Sequence, residues 1–387
     1  MTNNTETIKG FKDYIGEEAE KRAVIREIIK SVFQKYGFSP AETPVIEQRS
    51  FVQGENPNDE AVSDIFKLKD KGSRKLALRY EFTFQLKRLM KGKKLPYKRF
   101  QIGPVFRDEP TGGNRVRQFI QCDADVISSN VRDEAEILAM AKEILDTLKI
   151  DFEILINNRK LLNEILEDNN IKDKNKSDVL KEIDKYDKLP EKELRKNLKK
   201  YNAENILDCL KKGEKYFSQF NSYKEIISLM EYCKLYGIKV KFSPTIIRGL
   251  SYYNGTVFEI TCLRIKETLI AGGSFKFNNI QSTGISFGIE RLSAVTQMKI
   301  DLEKFLVVSL GEDKKAIEIA QKLRKQGKNV SMFYGKPSKA LEYANSYKIK
   351  KVIFVGSKEV EQKKLTLKNL VTGKQRKIII SRGKINL

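Results

Sequence analysis

Apolar positions recur at helical spacing from Glu17 to Tyr36, which predicts an amphipathic helix with Ala19, Ala23, Ile28, Val32 and Phe33 on its buried side. Gly37 supplies the stop. The segment Ser39 to Ile46 is extended but broken by Pro40 and Pro44, as an edge or interface strand would be. Phe51 to Asp64 is polar, a loop with a short helix. Ile65–Lys69 and Lys75–Leu78 read as paired strands around Asp70–Ser73, and Arg79–Thr83 opens a helix running to about Met90. Lys98–Arg107 and Arg115–Ser128 make a hairpin. Arg132–Leu148 is a strongly amphipathic helix, and Phe152–Ile156 a strand. From Asn158 to about Tyr236 the chain is rich in Lys, Glu, Leu and Asn with helical period. Strand composition returns at Val240–Ser243, Val257–Thr261 and Thr268–Ala271. Thr283–Thr296 reads as a strand, a glycine and a helix. Beyond the linker Lys299–Glu303, strands and helices alternate as in a small α/β domain, closing on a hairpin at Thr372-Gly373.

The second hairpin strand is the most informative stretch. With period 2, Arg115, Arg117, Phe119, Gln121, Asp123 and Asp125 share one face, while Val116, Gln118, Ile120, Cys122, Ala124 and Val126 share the other. The second face is mostly apolar and suits a core. The first shows cations at one end, an aromatic ring in the middle and carboxylates at the far end. It is either a solvated outer face or the floor of a site that holds an anion and a cation apart.

Composition narrows the chemistry. The 387 residues are enough for two or three domains. The net charge of +23 suits a polyanionic partner, although an AT-rich genome writes lysine everywhere. From Phe305 to Leu387, 20 basic residues stand against 6 acidic ones, a net +14. That concentration is what a nucleic-acid-binding module would have. Four scattered cysteines without a C-x-x-C pair argue against zinc and disulfides and fit a reducing, cytoplasmic location. No apolar run is long enough to span a bilayer, so no membrane partner is expected. Histidine is absent altogether. Chemistry must therefore rest on Arg, Lys, carboxylates, backbone groups and bound metal ions.

Four constellations stand out: Arg79-Tyr80-Glu81-Phe82-Thr83; Phe106-Arg107-Asp108-Glu109 with the strand that follows; Arg248-Gly249-Leu250-Ser251-Tyr252-Tyr253 with Ala271-Gly272-Gly273; and Gly288-Ile289-Glu290-Arg291. Together they resemble the histidyl-tRNA synthetase family, within the class II aminoacyl-tRNA synthetases, over nearly the whole chain. The Pro44 segment looks like the first class motif, the Arg107 segment the second and the Arg291 segment the third. The Arg-Gly-Leu-x-Tyr-Tyr run is the part that selects the histidine branch.

The resemblance implies an α+β catalytic domain with a class II antiparallel sheet, in two parts at 1–157 and 238–303. It also implies a helical insertion at 158–237 and a C-terminal α/β anticodon-binding domain at 304–387. It implies ATP and Mg²⁺ as cofactors, L-histidine and histidine tRNA as partners, and a homodimer. Arg107 would hold the ATP α-phosphate, Arg115 and Arg291 the outer phosphates, Glu109 the adenine amine and Phe119 the ring, beside Gly288. Arg248 would bridge the carboxylate and the α-phosphate as the catalytic cation, with Arg107. Glu81, Thr83 and Gln121 would bind the α-ammonium, and Asp125 and Tyr253 the imidazole, in a pocket completed by Tyr252, Gly272 and Gly273. No protein ligand to a metal is identified.

Glu81 or Thr83 alone could instead merely cap the following helix. Ser251 replaces the family's usual Asp, Ser274-Phe275-Lys276 its Arg-Tyr-Asp, and Gly112 a loop glutamine that contacts the tRNA 5′ end. The last change shifts that contact to other groups, such as Arg117 or backbone N–H donors. These departures keep open a non-catalytic regulatory or tRNA-sensing relative.

Overall fold

In the computed structural model, the described residues are 5–54, 60–112, 116–247, 253–300, 302–381 and 384–385. Eleven strands are described before residue 299: β1 (Ser39–Pro40), β2 (Ile46–Gln48), β3 (Lys67–Lys69), β4 (Lys75–Leu78), β5 (Tyr97–Phe106), β6 (Gln118–Ile127), β7 (Glu153–Asn158), β8 (Lys241–Phe242), β9 (Tyr253–Cys262), β10 (Ile265–Phe277) and β11 (Ile280–Gly288). Eight of them form a largely antiparallel sheet in the order β1-β5-β6-β11-β10-β9-β7-β8, and β2, β4 and β3 form a small second sheet. The proline-broken segment provides the edge strand β1, where Pro40 offers no ladder donor, and leads into β2, an edge of the small sheet.

The sheet is backed by the Gly16–Lys35 and Val131–Thr147 helices. Asn130 starts the second with a reciprocal capping box to Asp133. Phe33 is fully buried and packs on Phe38, Phe100 and Phe287 at 5.3–6.4 Å between ring centroids. Truncating it to Ala would cost about 3–5 kcal/mol. The stripe on the first helix differs from the expectation. Arg22, Ile25, Ile29, Val32 and Phe33 are buried, whereas Ala23 is exposed and Ala19 and Ile28 are half-buried. The register is set by the large residues, and Arg22 joins them because Glu290 neutralises it at 2.6 Å. The helix expected after Thr83 shrinks to Leu86–Leu89, since residues 79–85 are spent bracing the hairpin.

Residues 159–235 hold six helices, whose apolar faces belong to the same core as the sheet. By internal contacts the chain divides into two units, Met1–Met298 and Lys299–Leu387. The second unit has β12 (Lys304–Ser309), β13 (Asn329–Tyr334), β14 (Lys351–Val355), β15 (Lys364–Asn369), β16 (Gln375–Ser381) and β17 (Lys384–Ile385), in the order β13-β12-β14-β15-β16-β17. β12, β13 and β14 are parallel. Phe305 and Val307 face the Asp313–Lys325 helix while Leu306 and Val308 face the Pro337–Ser346 helix, so this sheet is apolar on both sides. A short helix at Ser357–Glu361 was not anticipated.

Candidate active site

The floor is β6 between its two neighbours. β5 sets Arg99 opposite Asp125, Gln101 opposite Asp123, Gly103 opposite Gln121 and Val105 opposite Phe119. β11 sets Gly284 opposite Asp125, Ser286 opposite Asp123 and Gly288 opposite Gln121. Glycines thus stand where the polar side chains need room. A Cβ on Gly284 would lie 2.2 Å from Asp125 Oδ1, and one on Gly103 2.8 Å from Arg79 Nη2.

The cationic end opens into a cleft of ≈ 300 Å³ lined by Arg107, Glu109, Phe119, Gln121, Gly288 and Arg291, among others. The Arg107 guanidinium sits 5.1 Å from the Phe119 ring centroid, and its Nε donates to the Tyr80 carbonyl at 3.3 Å. Both contacts hold it on the cleft wall. Arg291 Nη1 donates to the Thr268 carbonyl at 2.6 Å, anchoring it on the rim. Glu290, in the same motif, borders the cleft as well and braces it. It accepts from Ile120 N–H at 3.1 Å and pairs with Arg22, tying the end of β6 to the first helix.

From the cleft a polar chain leads inward. Arg107 Nη2 donates to Gln121 Oε1 at 3.3 Å, and Gln121 Nε2 donates to Asp123 Oδ2 at 3.0 Å. Gln121, Asp123 and Asp125 are only 3–4% exposed, so this face is not solvated. Burial pushes the Asp125 carboxyl up to about 7, against the pull of Arg99 and with the push of Asp123. Burial also raises Asp123, opposed mainly by Arg99. The half-buried Glu81 lies across from them, held up to about 7 by desolvation, with the Thr83 hydroxyl opposing and Asp123 adding to the rise. One Glu81 oxygen does accept from Phe84 N–H at 3.2 Å, so it braces its own turn as well.

Glu81, Thr83, Asp125, Tyr253, Gly272 and Gly273 lie away from the lining of the ≈ 300 Å³ cleft. Tyr253 begins β9, buried, in register with Phe275. Gly272 and Gly273 let three backbones close up. A Cβ on Gly272 would meet the Gly284 carbonyl at 2.1 Å, and one on Gly273, at φ +156°, would meet the Thr256 carbonyl at 2.4 Å. Arg115, Arg248, Ser251 and Tyr252 fall outside the described residues.

Sequence reading missed Arg99, fully buried, whose Nη2 lies 2.7 Å from Asp125 Oδ2 and donates to the Phe82 carbonyl at 3.1 Å. A hairpin folded about the Gly112 loop puts residues 99 and 125 opposite one another, so the signal was present. Arg79 was also missed. It is buried and donates to the Pro104 and Thr43 carbonyls at 2.8 and 2.6 Å, fixing the segment that carries Glu81. Ser274 points away from the pocket and donates to the buried Glu134 of the Val131–Thr147 helix. Arg117 is committed to the loop itself. Its Nε donates to the Glu109 carbonyl, its Nη2 pairs with Asp108, both at 3.2 Å, and its N–H donates to the Gly10 carbonyl at 2.8 Å.

A long hairpin carrying Arg107, a neighbouring strand that runs through Gly288 into a helix bearing Arg291, and helices behind the sheet define a class II aminoacyl-tRNA synthetase catalytic fold. The family model for histidyl-tRNA synthetase matches residues 10–292, and that for an anticodon-binding domain matches 304–383. A histidine–tRNA ligase of Bacillus cereus is 33% identical, with 97% of each chain covered. The crystal structure of histidyl-tRNA synthetase from Nostoc sp. PCC 7120 superposes with a TM-score of 0.86 at 25% identity, covering 97% of both chains. A structure described as an ATP phosphoribosyltransferase regulatory subunit/histidyl-tRNA synthetase from Bacillus halodurans C shares the fold at TM-score 0.76 and 21% identity, over 88% of this chain and 96% of that one. The chain belongs to the histidyl-tRNA synthetase family.

Proposed function

We propose that this chain ligates L-histidine to histidine tRNA through a histidyl-adenylate. The observation that carries the reading is the polar chain from the Arg107–Phe119 cleft through Gln121 to Asp123, whose charge is felt by the neighbouring carboxyls of Asp125 and Glu81. Such a path suits one ligand half that is anionic and another that is cationic, brought together in line.

ATP binds with its adenine on Phe119 and its amine on Glu109. Arg107 takes the α-phosphate, because a planar, permanently charged fork matches two phosphate oxygens. Arg115 and Arg291 hold the outer phosphates, and Gly288 leaves the floor flat. Glu81, Thr83 and Gln121 take the histidine ammonium. Asp125 and Tyr253 grip the imidazole beside Tyr252, Gly272 and Gly273. The histidine carboxylate attacks the α-phosphorus and pyrophosphate leaves; Arg248 and Arg107 offset the negative charge that gathers there. No proton moves in this step, so a chain without histidine loses nothing by lacking a general base. A hydroxyl of the terminal ribose then attacks the carbonyl carbon, and AMP departs as its phosphate takes up the hydroxyl proton.

Among the described residues no group of three or more carboxylate or cysteine side chains could cage a metal ion. Mg²⁺ would neutralise the charge of the ATP phosphates. The basic C-terminal unit, matched as an anticodon-binding domain, reads the tRNA. That domain counts against a purely regulatory relative. The proline-broken edge segment suits a homodimer interface. Among the described residues no helix is long and apolar enough to cross a membrane, and the buried free cysteines suit the cytoplasm.

Purified protein should catalyse histidine-dependent ATP–pyrophosphate exchange and charge histidine tRNA. Absence of exchange with all twenty amino acids would overturn the proposal.

A further inference from the structure

Arg99 presents a puzzle of stability. It is fully buried, yet its Nε and Nη1 have no hydrogen-bond partner among the described residues. Its third nitrogen, Nη2, carries both contacts: 2.7 Å to Asp125 Oδ2 and 3.1 Å to the Phe82 carbonyl. A buried guanidinium with two idle nitrogens is destabilising beside an apolar residue of similar volume. Folding alone gives no reason for an arginine here.

Its two contacts do. Asp125 is the carboxylate read above as the imidazole acceptor. Phe82 lies between Glu81 and Thr83, read above as ammonium ligands. A single nitrogen therefore ties the two ends of the amino-acid pocket together, from a strand that itself lines neither end.

We propose that Arg99 is a positioning residue for histidine, fixing Asp125 as an ionised acceptor and setting its distance from the Glu81–Thr83 segment. The inference rests on the histidine-binding role proposed for Asp125. The surroundings of that carboxylate are simple. β5 brings Arg99, β6 itself brings Asp123, and β11 brings the uncharged Gly284. Arg99 is the cation among them that favours the charged carboxylate, against burial and Asp123. Without it Asp125 would take up a proton at a higher pH and stop accepting from the imidazole.

The test is steady-state ATP–pyrophosphate exchange from pH 6 to 9 with wild type, R99Q and R99K, run with histidine and with ATP varied. In R99Q the KM for histidine should rise at least about tenfold at pH 7, as expected for losing one partner of a buried ion pair. The KM for ATP should stay within about twofold, because the contacts of Arg107 and Phe119 do not involve Arg99. The acid limb of 1/KM for histidine should move to higher pH in R99Q. In R99K it should return toward wild type, since the charge is restored. A purely structural arginine would shift both KM values together, or lower kcat with the pH profile unmoved; either result overturns the proposal. If R99Q fails to fold, R99K decides alone: a wild-type acid limb with raised KM for histidine supports positioning, and equal loss for both substrates refutes it. Exchange in wild type with an unaltered KM for histidine in R99Q removes the role of Arg99 only. No histidine-dependent exchange in wild type removes the functional reading as well.

Discussion

Replacing Glu81 by Gln should stabilise the protein while it impairs it, and only at the pH where the enzyme works. Burial holds the Glu81 carboxyl up to about 7, from an ordinary 4.5. At about 1.4 kcal/mol per tenfold change in proton affinity, that rise is worth up to about 3 kcal/mol. The sign follows from proton linkage. A carboxyl whose folded value is raised binds its proton more tightly in the fold. Its contribution is favourable below pH 4.5 and is lost as pH climbs through 7. At pH 8 the folded protein carries an ionised carboxylate that burial disfavours. Gln keeps the shape and can still accept from Phe84 N–H, but never ionises. Thermal unfolding of full-length wild type and E81Q at pH 5 and pH 8 provides the assay. For a unit of about 300 residues, roughly 2 °C accompanies each kcal/mol, so E81Q should melt up to about 6 °C higher at pH 8. The two should nearly coincide at pH 5. The same variant should show a KM for histidine at least about tenfold higher, because a neutral amide cannot balance an ammonium. An advantage of equal size at both pH values, or a wild type that is the more stable at pH 8, would refute the reasoning.

Three further outcomes follow from the same geometry. Binding of histidine near pH 7 should release up to about one proton from the carboxylate cluster; calorimetry in two buffers of different ionisation enthalpy should show it, and E81Q should release less. G284A should displace Asp125, whose Oδ1 lies 2.2 Å from the added Cβ. The KM for histidine should rise about tenfold with ATP affinity kept; parallel loss of both would mean sheet damage rather than pocket damage. A chain ended at Met298 should keep adenylate formation within about threefold while tRNA charging falls far more, since the basic excess is removed. Equal loss of both activities would contradict that division. The cut belongs before Glu303, because that carboxylate pairs with Lys328 and Lys351 of the second unit.

Much of the fold was legible in periodicity. The hairpin, the small strand pair around Asp70 and the alternation after residue 304 all follow from apolar spacing and turn residues, and each is present. The membership of the two faces of β6 was legible too. What covers a face was not. Period 2 assigns Gln121, Asp123 and Asp125 to one side of a strand. It says nothing of the 79–85 segment and the opposing Arg99 that enclose that side. The same limit hid the direction of Ser274. A departure from a family pattern reads as a weakened pocket until the partner is known. The partner is Glu134, behind the sheet. Arg117 looked available to a nucleic acid because Gly112 replaces the loop glutamine that would make the contact. Its Nε and Nη2 are engaged by Glu109 and Asp108, residues scarcely ten positions away, and its backbone N–H by Gly10.

The count of charges explains why a face so polar can be buried at all. Glu81, Asp123 and Asp125 share their surroundings with two guanidinium groups, Arg99 and Arg107. Among the described residues, with every group ionised, these carboxylates exceed these cations by one. Burial is the main reason that Glu81 and Asp125 hold protons up to about pH 7, and the charge of Asp123 adds to it. An entering α-ammonium supplies the missing positive charge. An imidazole N–H then gives Asp125 a hydrogen-bond donor beside its ion pair with Arg99. An amino acid with an apolar side chain supplies the first and not the second, leaving the buried carboxylate without that donor, a loss that a polar pocket penalises strongly. The destabilised empty site and the discrimination against other amino acids therefore have one physical origin.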